Sequence, residues 1–254
     1  VLNLLKGGVF SSPHAKPFPG KIFLVNPKHK KMYGLKCYPS ILAVEKKVDL
    51  VIIAVPSSIV GMVLKECGQK NVKFAIIVSA CFSEVGKNDL QEELLKIANQ
   101  FGIRILGPNT LGLINPHAKM NASFGLTTPK PGSIAFLTQS GAIADSVIDW
   151  SIEEKYSFSS IVSLGNSMDL DVTDFINHFA DDTKTRVIAC YLEGIKNGKN
   201  FMSALEKARL KGKPVVVLKG GKSHSGEQAV SSHTGSMVGS SKVFEGALKQ
   251  FNAI

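Results

Sequence analysis

The stretch "SIAFLTQSGAIADSVIDW" (residues 133–150) decides the fold of this chain. Its first residues form a short, nearly continuous apolar run, the pattern of a parallel strand covered on both faces. Gln139, Ser140 and Gly141 break the run, and the residues beyond them take helical spacing. The unit is therefore strand, small-residue turn, helix. The same rhythm recurs on both sides of it. Earlier strand-like runs are "KIFLVNP" (21–27), "VDLVIIAVP" (48–56), "FAIIVSA" (74–80) and "IRILGPN" (103–109). Later ones are "SSIVSLGN" (159–166), "RVIACYLEG" (186–194) and "KPVVVLKGG" (213–221). Amphipathic stretches lie between them. One starts at Asn88 and stops at Gly102, and another is expected at about 239–251. Alternating units of this kind predict an α/β fold with mostly parallel, doubly wound sheets.

The alternation is interrupted at "TTPKPG" (127–132), which has two prolines, a glycine and no periodicity. Two domains are expected, residues 1–126 and 133–254, joined by this linker. The chain has 254 residues, is 44% hydrophobic and 20% charged, and carries a net charge of +10. That charge is uneven. Residues 1–127 hold 16 Lys and Arg against 7 Asp and Glu, whereas residues 128–254 hold 14 against 13. A basic first half suits a polyanionic ligand or simply aids solubility. No aromatic-studded basic stripe points to nucleic acid, so a phosphorylated small molecule is the better expectation. No run reaches the roughly 18–20 apolar residues of a membrane helix. Cys37, Cys67, Cys81 and Cys190 have neither metal nor redox spacing. They predict reduced thiols, a cytoplasmic location and no metal site.

In open α/β sheets ligands bind at the carboxyl ends of strands. Here those ends read "VNPKH", "AVPSS", "SACFSE", "GPNTLG", "TQSGAIAD", "SLGNSMD", "YLEGIK" and "LKGGKSHSG". Singly each is a turn; together they describe a lined crevice. The helix start at Ser140, Gly141 and Ala142 offers free amides and a positive dipole end to a phosphate, or is merely a cap. Glu193, at a strand end, is either a surface carboxylate or one able to receive an imidazole N–H. His233 lies in "AVSSHTGSMVGS" (229–240), a small polar stretch able to swing a ring between two places, or is an ordinary surface histidine.

These motifs, in this order, resemble the NDP-forming acyl-CoA synthetases. This superfamily includes ADP-forming acetyl-CoA synthetase and the α subunit of succinyl-CoA synthetase. "GPNTLG" and "SSHTGS" at their separation are the specific pair, and the acetyl type is the nearer. The resemblance implies a Rossmann-like CoA-binding domain lacking its first strand, then a flavodoxin-like domain carrying a phosphorylated histidine. It also implies the reaction acyl-CoA + ADP or GDP + phosphate ⇌ acid + CoA + ATP or GTP. By the same resemblance, His233 is the nucleophile and Glu193 orients it. Ser140, Gly141 and Ala142, with Gly235 and Ser236 at a second helix start, hold phosphate. Asn109 lines the acyl pocket. Lys28 and the turn Val78, Ser79 and Ala80 contact coenzyme A. The nucleotide (ADP/ATP or GDP/GTP) and Mg²⁺ belong to an ATP-grasp subunit or domain that these residues do not provide, and an oligomer is expected.

Three departures bear on this reading. The family's opening strand and Gly-rich turn would precede Val1, so weaker CoA binding is expected. Cys81 stands where relatives have glycine. Asp145 replaces a substrate-touching tyrosine of the succinyl enzymes, which argues against succinate. Two other readings remain: a non-catalytic CoA-binding regulatory module, and a nicotinamide-dependent oxidoreductase. No G-x-G-x-x-G supports the latter.

Overall fold

The computed structural model describes residues 1–10, 12–221, 241–251 and 253. After a short helix α1 (Leu2–Lys6), strands β1 (Leu24–Val25), β2 (Lys31–Met32) and β3 (Leu35–Tyr38) form a small sheet in the order β1-β3-β2. Tyr33 and Gly34 join β2 to β3 with φ of 51° and 80°. Two successive positive φ values suit the right-handed twist of a tight hairpin. Next come β4 (Leu50–Ile53), α2 (Ser57–Gln69), β5 (Phe74–Ile77), α3 (Asn88–Phe101) and β6 (Arg104–Leu106). Their strands form a parallel sheet, β4-β5-β6. Helix α3 starts and stops as the sequence predicts, and Gly102 caps it at φ 65°. The apolar stripes of α2 and α3 (Val60, Leu64, Leu94 and Ile97) bury against Ile53, Ile77 and Ile105 of this sheet.

The larger sheet is built from β7 (Gly112–Asn115), β8 (Met120–Ser123), β9 (Lys130–Thr138), β10 (Ser157–Ser163), β11 (Val187–Leu192) and β12 (Val215–Lys219). Its order is β12-β11-β9-β10-β7-β8. The four later strands are parallel; β7 runs antiparallel to β10, and β8 to β7. Helices α4 (Gly141–Glu153), α5 (Val172–Asp181), α6 (Gly198–Leu210) and α7 (Ser241–Gln250) accompany it. The continuous apolar run of β9 is explained by this two-sided cover. Ala135 and Leu137 pack with Ile176 of α5 and Phe201 of α6, whereas Phe136 packs with Ile148 of α4 on the opposite face.

The structure thus has two α/β domains with parallel-rich sheets, and it differs from expectation at their junction. The hairpin β7–β8 lies before the expected boundary at 126 yet hydrogen-bonds to β10 of the second sheet. Ile114, fully buried beside Phe136, Ile148 and Ile161, supplies the apolar contact. The expected linker 127–132 is also shorter, because Lys130, Pro131 and Gly132 already belong to β9.

A backbone seam joins the two units. The amides of Asn166, Met168 and Leu170 donate to the carbonyls of Pro108, Gly107 and Ile105 at 2.9–3.1 Å. The Asp169 carboxylate accepts from the Ile105 amide at 2.7 Å and from the Arg104 guanidinium. Gly165 sits at the tightest point of the seam. Its φ is 59°, and a Cβ there would overlap the Pro108 carbonyl oxygen. Gly165→Ala is therefore expected to cost about 2 kcal/mol or more and to lower Tm by roughly 5 °C. Thermal and urea unfolding check this. A variant as stable as the parent would mean that the seam relaxes freely.

Candidate functional site

Among the described residues, strand ends and helix starts gather Ser140, Gly141, Ala142 and Glu193 in one group and Val78, Ser79, Ala80 and Asn109 in a second. In the first, α4 begins where β9 ends. The Ser140 hydroxyl accepts the Ile143 amide, and the Ser140 amide donates to Thr138 Oγ1 at 3.0 Å. The amides of Gly141 and Ala142 have no partner among the described residues, as the first turn of a helix dictates. With the positive end of the helix dipole, they offer N–H donors of the kind that can receive an anion.

Glu193 stands beside this turn, at the end of the adjacent strand β11. It is buried, only 8% exposed, so it is not a surface carboxylate. Gln139 clamps the two turns. Its Oε1 accepts the amides of Glu193 and Gly194 at 2.6 and 3.1 Å, and its Nε2 donates to the Gly194 carbonyl at 3.0 Å. From the next strand, buried Lys219 donates to the carbonyls of Glu193 (2.8 Å) and Gly220 (2.7 Å). The charge of Glu193 is felt nearby: burial first, then that carboxylate, pushes the Tyr191 phenol above its usual range. A second carboxylate, Asp145, lies one turn into α4. Desolvation, and then Asp149, raise its pKa.

The second group surrounds Ser79 and Asn109. The Val78 amide donates to the Ile53 carbonyl at 2.9 Å, tying the turn after β5 to β4. Ser79 Oγ donates to the Val55 carbonyl at 2.5 Å and accepts the Val55 amide at 3.1 Å. The Ser79 carbonyl in turn accepts the Asn109 amide at 2.9 Å. Three turns, after β4, β5 and β6, are thereby held as one surface. Ala80 and Cys81 are exposed at its rim. Cys81 has φ 75°, a left-handed conformation that favours glycine, which accounts for glycine being the expected residue there. Asn109, half-buried at φ 56°, donates from Nδ2 to Asn166 Oδ1 at 3.2 Å, reaching the turn after β10. Lys28 is exposed in the turn after β1, and its amide is held by Asn26 Oδ1 at 2.9 Å.

His233, Gly235 and Ser236 lie outside the described residues, as does His224. Among the described histidines, His117 bonds the Gly132 carbonyl at 2.8 Å and His178 packs edge-on against Phe179. Cys67 and Cys190 are buried; burial pushes the Cys67 thiol up to about 12 and the Cys190 thiol higher still. The sequence reading assigned no role to Gln139, Lys219, Glu84 or Asn166. Each stands in a motif at a strand end, and that position was the available signal.

Comparison with known proteins agrees with the two-domain α/β fold. Residues 14–116 match the model of a CoA binding domain, and residues 131–254 match that of a succinyl-CoA ligase-like flavodoxin domain. The chain is 44% identical to acetate–CoA ligase (ADP-forming) I of Archaeoglobus fulgidus, over 93% of its own length and 35% of that protein. It is also 44% identical to the α subunit of acetate–CoA ligase (ADP-forming) II of Pyrococcus furiosus, covering 91% of this chain and 50% of that one. An acetyl-coenzyme A synthetase 1 of Ca. Korarchaeum cryptofilum, solved with phosphate and ADP, superposes with a TM-score of 0.90 at 41% identity. That likeness covers 93% of this chain and 51% of the other. The chain thus spans between a third and about half of the length of these relatives. From the two domain models, which together span most of the chain, and from these likenesses, the chain belongs to the NDP-forming acyl-CoA synthetase superfamily, with ADP-forming acetate–CoA ligases among its relatives.

Proposed function

We propose that this chain is the CoA-binding and phosphohistidine-carrying part of an NDP-forming acyl-CoA synthetase. The observation that carries the proposal is the Gln139 clamp, which holds the helix start at Gly141 and Ala142, whose amides have no partner among the described residues, beside buried Glu193. In the proposed sequence, phosphate attacks the thioester carbon, and CoA leaves as the acyl phosphate forms. The imidazole of His233 then takes the phosphoryl group and releases the acid. Finally the phosphohistidine gives the group to ADP or GDP. The helix start at Ser140, Gly141 and Ala142 stabilises phosphate charge, joined by Gly235 and Ser236 from the other side. Glu193 holds the imidazole N–H, so that the opposite nitrogen remains nucleophilic. Catalysis of this kind is mainly positioning and charge stabilisation.

Lys28 and the turn Val78, Ser79 and Ala80 take coenzyme A, and Asn109 lines the acyl and phosphate pocket. An ATP-grasp subunit or domain supplies the nucleotide and Mg²⁺ site, and the working enzyme is an oligomer. Free thiols at Cys37, Cys67, Cys81 and Cys190 favour a reducing compartment such as the cytoplasm. Among the described residues no helix is long and apolar enough to cross a membrane.

The test combines the chain with its nucleotide-binding partner, ADP, Mg²⁺, phosphate and a panel of acyl-CoA thioesters. Thiol release and ATP formation should appear in equal amounts. CoA binding without thiol release would favour the regulatory module. Calorimetry of the chain should show CoA bound in preference to NADH, and the reverse would favour the oxidoreductase reading.

A further inference from the structure

Glu84 has no part in the reaction as outlined, yet it ties the turn after β5 to the turn after β10, on which Asn109 also leans. Its Oε1 accepts the amides of Cys81 and Phe82 at 2.5 and 3.1 Å, shaping the turn that follows Ser79 and Ala80. Its Oε2 accepts Asn166 Nδ2 at 2.6 Å. The same Asn166 nitrogen lies within reach of Ser83 Oγ (3.1 Å) and Gln91 Oε1 (2.9 Å), and Asn166 Oδ1 accepts Asn109 Nδ2 at 3.2 Å. Because a carboxylate can only accept, the orientation of the Asn166 amide is set. A polar relay therefore runs from the turn after β5, through Glu84 and Asn166, to Asn109. Partial burial works to raise the Glu84 carboxyl, but hydrogen bonds from Asn166 and from backbone amides outweigh it and hold the group below its usual range. The relay thus has its ionised acceptor near neutral pH. Phe82, fully buried beneath the turn, anchors the near end.

We propose that Glu84 and Asn166 are positioning residues that set the turn 79–82, which takes the CoA arm, against the acyl and phosphate pocket at Asn109. This rests on the function proposed above. The relay does not touch the reacting atoms; it fixes where the thioester lies relative to the attacking phosphate. Misplacement of a bound reactant by about 1 Å can cost on the order of 100-fold in rate.

The donor–acceptor logic supplies the test. In Glu84→Gln, one face of the new amide must set donor against donor, either at Asn166 or at the Cys81 and Phe82 amides. In Asn166→Asp, two carboxylates face one another. In the double variant the roles are exchanged: the side-chain amide now at position 84 donates to the carboxylate now at position 166. The amide oxygen at position 84 still accepts the two backbone amides, and the new carboxylate still accepts Asn109 Nδ2. With the assembled enzyme, each single variant should lower acyl-CoA- and phosphate-driven labelling of His233 roughly 10- to 100-fold. Labelling of His233 from ATP, which does not use the CoA turn, should stay within about twofold, and the double variant should recover most of the loss. The proposal is overturned if the single variants keep parental acyl-CoA-driven labelling. It is equally overturned if both labelling routes fall together, or if the double variant is no better than the worse single. Absence of ATP-driven labelling in the parent would instead overturn the proposed function.

Discussion

His233→Ala leaves the assembled enzyme without phosphoryl label and without ATP formation, a fall of roughly 10⁴-fold or more. The phosphoryl group then has no carrier between the acyl pocket and the nucleotide. In the parent, incubation with the nucleotide-binding partner, radiolabelled ATP and Mg²⁺ should label the chain once. The expected bond is a phosphoramidate, so the label should be lost in acid and kept in base, the opposite of a phosphoserine ester. His224→Ala keeps the label, since His224 is not part of "SSHTGS". His117 and His178 are occupied with the Gly132 carbonyl and the Phe179 ring and are likewise dispensable. A label that survived His233→Ala, or that mapped to another histidine in the parent, would reassign the nucleophile.

Glu193→Gln slows phosphoryl transfer about 10- to 100-fold while leaving unfolding behaviour near that of the parent. A hydrogen bond from an imidazole to a carboxylate contributes about 1.5–3 kcal/mol, roughly twice a neutral one, and most in the transition state where the ring turns positive. Glutamine fills the same buried space and leaves in place the Glu193 amide and carbonyl, whose hydrogen bonds to Gln139 and Lys219 tie the turns together. Glu193→Asp falls between parent and Gln, because charge remains but reach is lost. Single-turnover phosphorylation of His233, from ATP and from acyl-CoA with phosphate, measures all three. Parental rates in Glu193→Gln would remove Glu193 from the mechanism.

Much of this architecture was legible locally. A βα unit announces itself by a short apolar run, a small-residue turn and a helical pattern, all within about 20 residues, and the ends of α3 follow from Asn88 and Gly102. The strand-end rule then pointed to Ser140 and Glu193 and to the turns in which the resemblance singled out Ser79 and Asn109. The hairpin β7–β8 was missed because "GLIN" and "MNAS" are too short and polar to register as strands; they become strands only beside the exposed edge of β10. The sequence also left Glu193 open between surface and interior. Burial is a property of what packs around a residue, and those neighbours come from elsewhere in the chain.

By itself, then, the sequence determined the α/β class, the order of the units, the strand ends at which ligands are expected and, through its motifs, the superfamily. These rest on periodicity, on turn residues and on linear order, all of which are written along the chain. Only the tertiary structure decided which turns meet. The Gln139 clamp spans 54 and 55 residues, the Asn109–Asn166 bond 57, and the Glu84–Asn166 bond 82. A lone Gln, Asn or Glu carries no periodic signal, and its partner is selected by the close approach of backbones, as where Gly165 meets Pro108. Such polar contacts depend on how the apolar faces pack the sheets, so their pairing is read from the fold and not from the chain.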